Sequence, residues 1–276
     1  MPSPAEQITD CHAHAFPDDL AARAIEQLEG RQDEQEPGAF LDGTISDLLR
    51  SMDFAGIRRS IICSIATAPK QTGPILEWSA RVHSPRIVPF SSVHPAATDP
   101  AGDVTRIADS PLLGVKLHPQ YQDFDLADRS VWPLFEAIEQ AGLILALHCG
   151  LDFAFPSDDE RAHPEKVLAL HRAFPDITII ATHMGGWHRW EAVLDTLAGT
   201  DVYFETSYTL DLIDPDLLQR IIRHHPVERI LFGTDSPWQD QKSTLEKVRN
   251  LFPDSEDQQK VLSDNSAELL RERGSQ

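Results

Sequence analysis

Short apolar, β-branched runs alternate with amphipathic stretches along the whole chain. Eight runs read as strands: Gln7–His12, Arg59–Ile65, Arg86–Val93, Leu112–Leu117, Leu143–His148, Ile177–His183, Asp201–Glu205 and Arg229–Asp235. They are apolar on both faces, as strands buried in a parallel sheet are. Between them lie helix patterns with recognisable ends. Thr44 caps a stretch carrying Ile45, Leu48, Leu49 and Met52, with Gly56 at its end. Asp214-Pro215 opens another that carries Leu217, Leu218, Ile221 and Ile222. Gly142 and Gly199 fit helix ends. Eight strand–helix units in succession predict an α/β fold of the (β/α)8 TIM-barrel type. An open doubly wound sheet is the rival, and no G-x-G-x-x-G follows any of these strands.

The chain has 276 residues, close to the roughly 250 of one such barrel. No linker rich in Gly, Ser or Pro divides it, so a single TIM-barrel domain over residues 1–276 is expected. The polar segment Glu26–Gly43 reads as a long loop or lid. The amphipathic stretch Asp254–Arg273 is expected to form a helix on the barrel's outside or against another subunit of a homo-oligomer.

With 44 acidic and 24 basic residues the net charge is −20, which argues against nucleic-acid phosphates as partners. No run approaches the roughly 18 apolar residues of a membrane helix, and Met1 to Ile8 lacks the regions of a signal peptide. Three cysteines, Cys11, Cys63 and Cys149, have no metal-finger spacing. A reducing cytoplasm is the simplest setting for them.

Polar residues collect where the strands end. His12 and His14 stand on the first, His94 after the third, and Lys116 and His118 on and after the fourth. His148 ends the fifth, His183 the sixth and Asp235 the eighth. In a barrel these ends converge on the face that carries active sites. In Asp10-Cys11-His12-Ala13-His14 the strand alternation turns His12 and His14 inward, where they can hold one metal ion. Cys11 then faces the helices. His148 and His183 each precede a turn and can serve as ligand or proton-transfer group. Asp235 is a buried acid that needs a metal, a cation or donors. Tyr121, Phe124, Phe153 and Phe155 are loop residues expected to shape a cavity. Trp187 and Trp238 follow site motifs and are candidate cavity walls. His94, His163, His224 and His225 are assigned to turns, His171 and His188 to helix surfaces.

Together D-x-H-x-H, G-V-K-L-H-P, L-H-C-G, T-H-M-G-G and F-G-T-D-S-P resemble the amidohydrolase superfamily. The nearer likeness is to the amidohydrolase-related branch that includes aminocarboxymuconate-semialdehyde decarboxylase. The resemblance runs from Asp10 to Trp238. It implies a distorted barrel with one or two divalent ions, most often zinc. It implies metal ligation by His12, His14, His148 and Asp235, with Asp235 also a proton carrier. His183 corresponds to a second-metal ligand or to a catalytic histidine. Lys116 corresponds to a fourth-strand lysine that can be carboxylated and bridge two ions. As an unmodified amine, the role preferred here, Lys116 would neutralise Asp235 or bind an anionic substrate. His118, Trp187 and Trp238 complete the expected substrate-binding set.

Three imidazoles and a carboxylate leave a divalent ion much of its charge, so it lowers the pKa of bound water from 15.7 toward about 7. Zinc fits this ligand set, and manganese fits one richer in oxygen. The expectation is a metal-dependent hydrolase acting on an amide, ester or lactone of a small carboxylate-bearing substrate. The alternative is a non-oxidative metal-dependent decarboxylase. A non-catalytic ligand-binding barrel is the third and least favoured reading.

Overall fold

A computed structural model describes residues 7–30 and 38–274; for residues 272–274 it describes the backbone alone. Eight strands occur among the described residues: β1 (Thr9–Ala13), β2 (Arg59–Cys63), β3 (Ile87–Phe90), β4 (Gly114–Leu117), β5 (Ile144–Leu147), β6 (Ile179–Ala181), β7 (Tyr203–Glu205) and β8 (Ile230–Leu231). Each lies inside or within one residue of an expected run, and all paired neighbours are parallel. Ladders join β1-β2-β3 and β4-β5-β6-β7-β8. Two seams close the ring. At one, Ser91 N–H donates to the Gly114 carbonyl (3.0 Å) and Lys116 N–H to the Ser91 carbonyl (2.7 Å). At the other, Cys11 N–H donates to Phe232 O (2.8 Å) and Asp235 N–H to His12 O (2.7 Å). The result is the expected (β/α)8 TIM barrel.

The helices are α1 (Asp18–Glu29), α2 (Ile45–Ala55), α3 (Thr72–Val82), α4 (Pro100–Ala108), α5 (Trp132–Ala141), α6 (Pro164–Ala173), α7 (Trp190–Thr196), α8 (Pro215–His224), α9 (Gln241–Leu251), α10 (Ser255–Gln259) and α11 (Asn265–Gly274). The caps follow the sequence. Thr44 accepts from Asp47 N–H, Asp214 accepts from Asp216 and Leu217, and Gly56 ends α2 in the left-handed region (φ 76°). Only glycine adopts that conformation without strain.

Strand alternation sorts the core. Ile61, Cys63, Phe90, Ile144, Ala146, Ile180 and Leu231 cluster inside the barrel. Ile62, Ile87, Ile230 and Phe232 pack outward with Leu48, Met52 and Val248 of the helices.

Several expectations change. Residues Glu26–Glu29 finish helix α1 rather than belonging to a loop, and residues 31–37 of that segment lie outside the described residues. Cys11 faces inward, in the same cluster as Ile61 and Cys63. The reason is a register shift: three steps on β1, from Asp10 to Ala13, match two on β2, from Ser60 to Ile62. Such a bulge breaks the alternation and lets Cys11 and His12 both turn inward. The C-terminal stretch forms α10, a π-helical turn (Lys260–Asp264) and α11. It closes the barrel around β8 and β1 within one chain: Asn265 Nδ2 donates to Val227 O and Ile230 O (both 2.8 Å), and Leu269 and Leu270 join the interior cluster. His94 and His225 lie outside the helices and strands as expected, both buried, whereas His224, expected in a turn, is the last residue of α8. His188 precedes α7 rather than lying in a helix.

Candidate metal centre and active site

Strand parity carries Lys116, His148, Glu205 and Asp235 inward, because each is an even number of residues from an interior apolar group or Gly114 on its own strand. His183 breaks that parity. Its positive φ of 58° redirects the chain just after β6 and turns the ring toward His12 (5.3 Å between centroids). A non-glycine residue held there stores backbone strain, a feature that clusters at active sites.

Hydrogen bonds to groups that only accept reveal which ring nitrogen carries the proton. His14 Nδ1 donates to the Cys63 carbonyl (2.7 Å) and His183 Nδ1 to the Ser207 carbonyl (3.1 Å). His12 Nδ1 donates to Glu205 Oε1 (3.0 Å), and His148 Nε2 to the Leu151 carbonyl (2.8 Å). In a neutral ring the remaining nitrogen is a lone pair: Nε2 of His12, His14 and His183, and Nδ1 of His148. Burial and the Lys116 ammonium push His12 down to about 4, so it is neutral at pH 7. Burial, together with His118, pushes His148 well below its ordinary value too.

Asp235 Oδ1 lies 3.4 Å from His12 Nε2 and 2.9 Å from His14 Nε2, and has no hydrogen-bond donor. Burial alone would raise this carboxyl, but the facing His12 and His14 outweigh it and hold it well below the usual carboxylate range. Ligand atoms of His12, His14 and Asp235 lie within 4.8 Å of one another. Nε2 of His12, Nε2 of His14 and the donorless Oδ1 of Asp235 converge, and three such donor atoms form a set that a divalent cation satisfies. The residues therefore fit a metal ion.

His148 stands in a different cluster, with His118 and Asp152. Its ring stacks on His118 at 3.8 Å with the planes 10° apart. Ring nitrogens bind metals in the ring plane, so two parallel rings in this stack do not share an ion. His118 is occupied on both nitrogens: Nδ1 accepts from Tyr121 N–H (3.4 Å) and Nε2 faces Asp152 Oδ2 (3.3 Å). Lys116 is buried, with Nζ 3.3 Å from His12 Nε2.

His12, His14, Lys116, His118, His148, Asp152, His183 and Asp235 line one cavity of about 820 Å³. Its walls include Phe16, Trp78, Tyr121, Phe153, Phe155 and Trp238, and Arg23 and Arg161 are its other cations. Trp187, an expected wall, lies in the core and does not line it; nor does Phe124.

Four residues near the centre were not anticipated: Glu205, Ser207, Asp10 and Asp152. The signal for Glu205 is present, since an acid ends the apolar run Val202-Tyr203-Phe204 just as Asp235 ends its own. Both Glu205 and Asp10 are fully buried, with opposite outcomes. Asp10 accepts from Thr234 Oγ1 (2.6 Å) and Gln241 Nε2 (2.7 Å), yet burial raises it to about 7. For Glu205 burial also pushes upward, but facing His12 brings it down to about 2.

The Amidohydrolase family profile matches residues 9–271. The chain belongs to the amidohydrolase family. Among curated proteins none matches the sequence. Solved structures similar to this amidohydrolase include an uncharacterized TIM-barrel protein from Bordetella bronchiseptica, at 19% identity and TM-score 0.76, covering 97% of this chain and 99% of that one. A 5-carboxyvanillate decarboxylase from Novosphingobium aromaticivorans, complexed with manganese and 4-hydroxy-3-methoxy-5-nitrobenzoic acid, matches at 14% identity and TM-score 0.71, with 96% of each chain covered. A protein assigned as a 2-pyrone-4,6-dicarboxylic acid hydrolase from Pseudomonas putida matches at 18% identity and TM-score 0.65, covering 96% and 98%. At these identities the likeness shows the shared fold. Membership of the amidohydrolase family marks this chain as an enzyme. Among the described residues no helix is long and apolar enough to cross a membrane.

Proposed function

We propose that this amidohydrolase is a metal-dependent hydrolase that cleaves an amide, ester or lactone of a small carboxylate-bearing substrate. The carrying observation is the convergence of His12 Nε2, His14 Nε2 and the donorless Asp235 Oδ1 at the cavity. Hydrolysis needs a proton acceptor at its first step, and an ionised carboxylate is one. His12, His14 and Asp235 would hold the ion, zinc by ligand type, and His148 would complete the set by turning its Nδ1 out of the stack on His118. When bound, the ion supplies a Lewis acid that polarises a carbonyl and lowers the pKa of water from 15.7 toward about 7. Asp235 takes the proton of the attacking water and passes it to the leaving group. His183 shares the developing charge. Lys116, as the free amine, attracts the substrate carboxylate; a carboxylated Lys116 would add a second ion. Trp238 and His118, which line the cavity, complete the substrate-binding set. Three buried free thiols accord with a reducing, cytoplasmic setting.

One observation favours a second reading, the decarboxylase. The aromatic walls at Tyr121, Phe153, Phe155 and Trp238 suit a planar aromatic acid. The deciding experiment incubates zinc- and manganese-loaded protein with esters, lactones and aromatic acids in ¹⁸O-water. Label in the product acid establishes hydrolysis; carbon dioxide release without label establishes decarboxylation. Inactivity across the panel would leave a ligand-binding barrel.

A further inference from the structure

Glu205 and Ser207, at the end of β7, lie behind the histidines and outside the cavity lining. Both are fully buried. Glu205 Oε1 accepts from His12 Nδ1 (3.0 Å), from the His183 backbone N–H (2.8 Å) and from Ser207 Oγ (2.8 Å). Its Oε2 accepts from Ser207 N–H (2.7 Å). The Ser207 hydroxyl proton is thus committed to Glu205. Its oxygen is left as an acceptor, 3.1 Å from His12 Nδ1 and 3.0 Å from His183 Nδ1. Gly233 makes the close approach possible, because a Cβ there would meet Glu205 Oε2 at 2.2 Å.

We infer that Glu205 and Ser207 form one positioning unit that sets the tautomer of both His12 and His183, and through His12 fixes how tightly the centre binds a divalent ion. The unit presents only acceptors to both Nδ1 atoms. Each ring is therefore held as the Nδ1–H form with Nε2 turned to the cavity. The same carboxylate binds the backbone of the strained His183, so one anion aligns two strand ends, β1 and β6. A carboxylate behind a ligating imidazole raises the basicity of the ligating nitrogen, and losing such a partner weakens metal binding by about 10- to 100-fold. The inference rests on the metal-centre reading above, but its first readout does not need a metal.

Long-range ¹H–¹⁵N spectra of histidine-labelled metal-free protein read the tautomers directly, and zinc competition with a chelating dye reads the affinity. The wild type should show His12 and His183 protonated at Nδ1. Glu205→Gln removes the charge and one acceptor oxygen from a pocket in which every neighbour is a donor, so the hold on His12 Nδ1–H weakens and His12 should shift toward the Nε2–H form. Zinc should then bind about 10- to 100-fold more weakly. Ser207→Ala, a smaller change that keeps the carboxylate, takes one acceptor from both His12 and His183, should loosen both rings, and serves if Glu205→Gln does not fold. Wild-type tautomers and wild-type zinc affinity in a folded variant would overturn the assignment. A merely structural role would lower thermal stability without moving either readout. If tautomers shift as expected but the wild type binds no divalent ion, the positioning unit stands and the metal-centre reading fails.

Discussion

Nε2 of His14 stands 2.9 Å from Oδ1 of Asp235, while Nδ1 of the same ring donates to the Cys63 carbonyl. In the neutral ring, both atoms of the close pair are therefore acceptors. Two acceptors at that distance repel unless a cation lies between them or a proton joins them, and the same holds for His12 Nε2 across from Asp235. The centre is assembled for positive charge before any ligand is considered.

His12→Ala removes one imidazole from this set. Bound metal and turnover should fall in parallel, as measured by elemental analysis beside an activity assay. Full metal content in the variant would take His12 out of the ligand set.

Asp235→Asn separates ligation from proton transfer. The amide oxygen can still coordinate but cannot accept the water's proton. At saturating metal, turnover should drop by roughly 10²-fold or more, the scale of a lost general base. Near-normal turnover at full occupancy would pass the proton-carrier role to His183.

Lys116→Ala tests the role of the buried amine. If Lys116 attracts substrate, the Michaelis constant for anionic substrates should rise while neutral ones change little. Equal losses for both, with metal lost as well, would instead mark a bridging, carboxylated lysine. Carboxylation would also add mass to the intact wild-type chain.

His225 gives a pH prediction remote from the centre. It is buried, stacked on Phe204 at 3.9 Å between ring centroids, and burial lowers it from 6.5 to about 4. The unfolded chain therefore binds a proton at a pH where the folded one does not. The stability this group contributes is fully present above pH 6.5 and is lost as pH falls toward 4. The loss is about 3 kcal/mol at most. Denaturant unfolding of metal-free His225→Gln should show a smaller stability difference between pH 7 and pH 4.5 than the wild type. Identical differences would mean that His225 does not carry the effect.

Much of this protein is written locally. Eight apolar runs, the Thr44 and Asp214 caps, and His12, His14, His148 and Asp235 at strand ends all follow from periods of 2 and 3.6 residues and from the convergence of strand ends in a barrel. The bulge that turns Cys11 inward was not legible, because it arises from how β1 registers against β2 and β8, a pairing between distant segments. Trp187 follows a site motif, yet it packs in the core, since adjacency in sequence does not say which side of a loop faces the cavity. The partition of the histidines was equally hidden. His12 and His14 face Asp235, whereas His148 stacks on His118, and only the tertiary structure sets those ring planes. Glu205 shows the division most plainly. An acid at the end of an apolar strand is visible in the chain, but its ionisation is decided by what faces it in space. His12, 193 residues away, brings it down to about 2, whereas Asp10, equally buried among neutral donors, is raised to about 7.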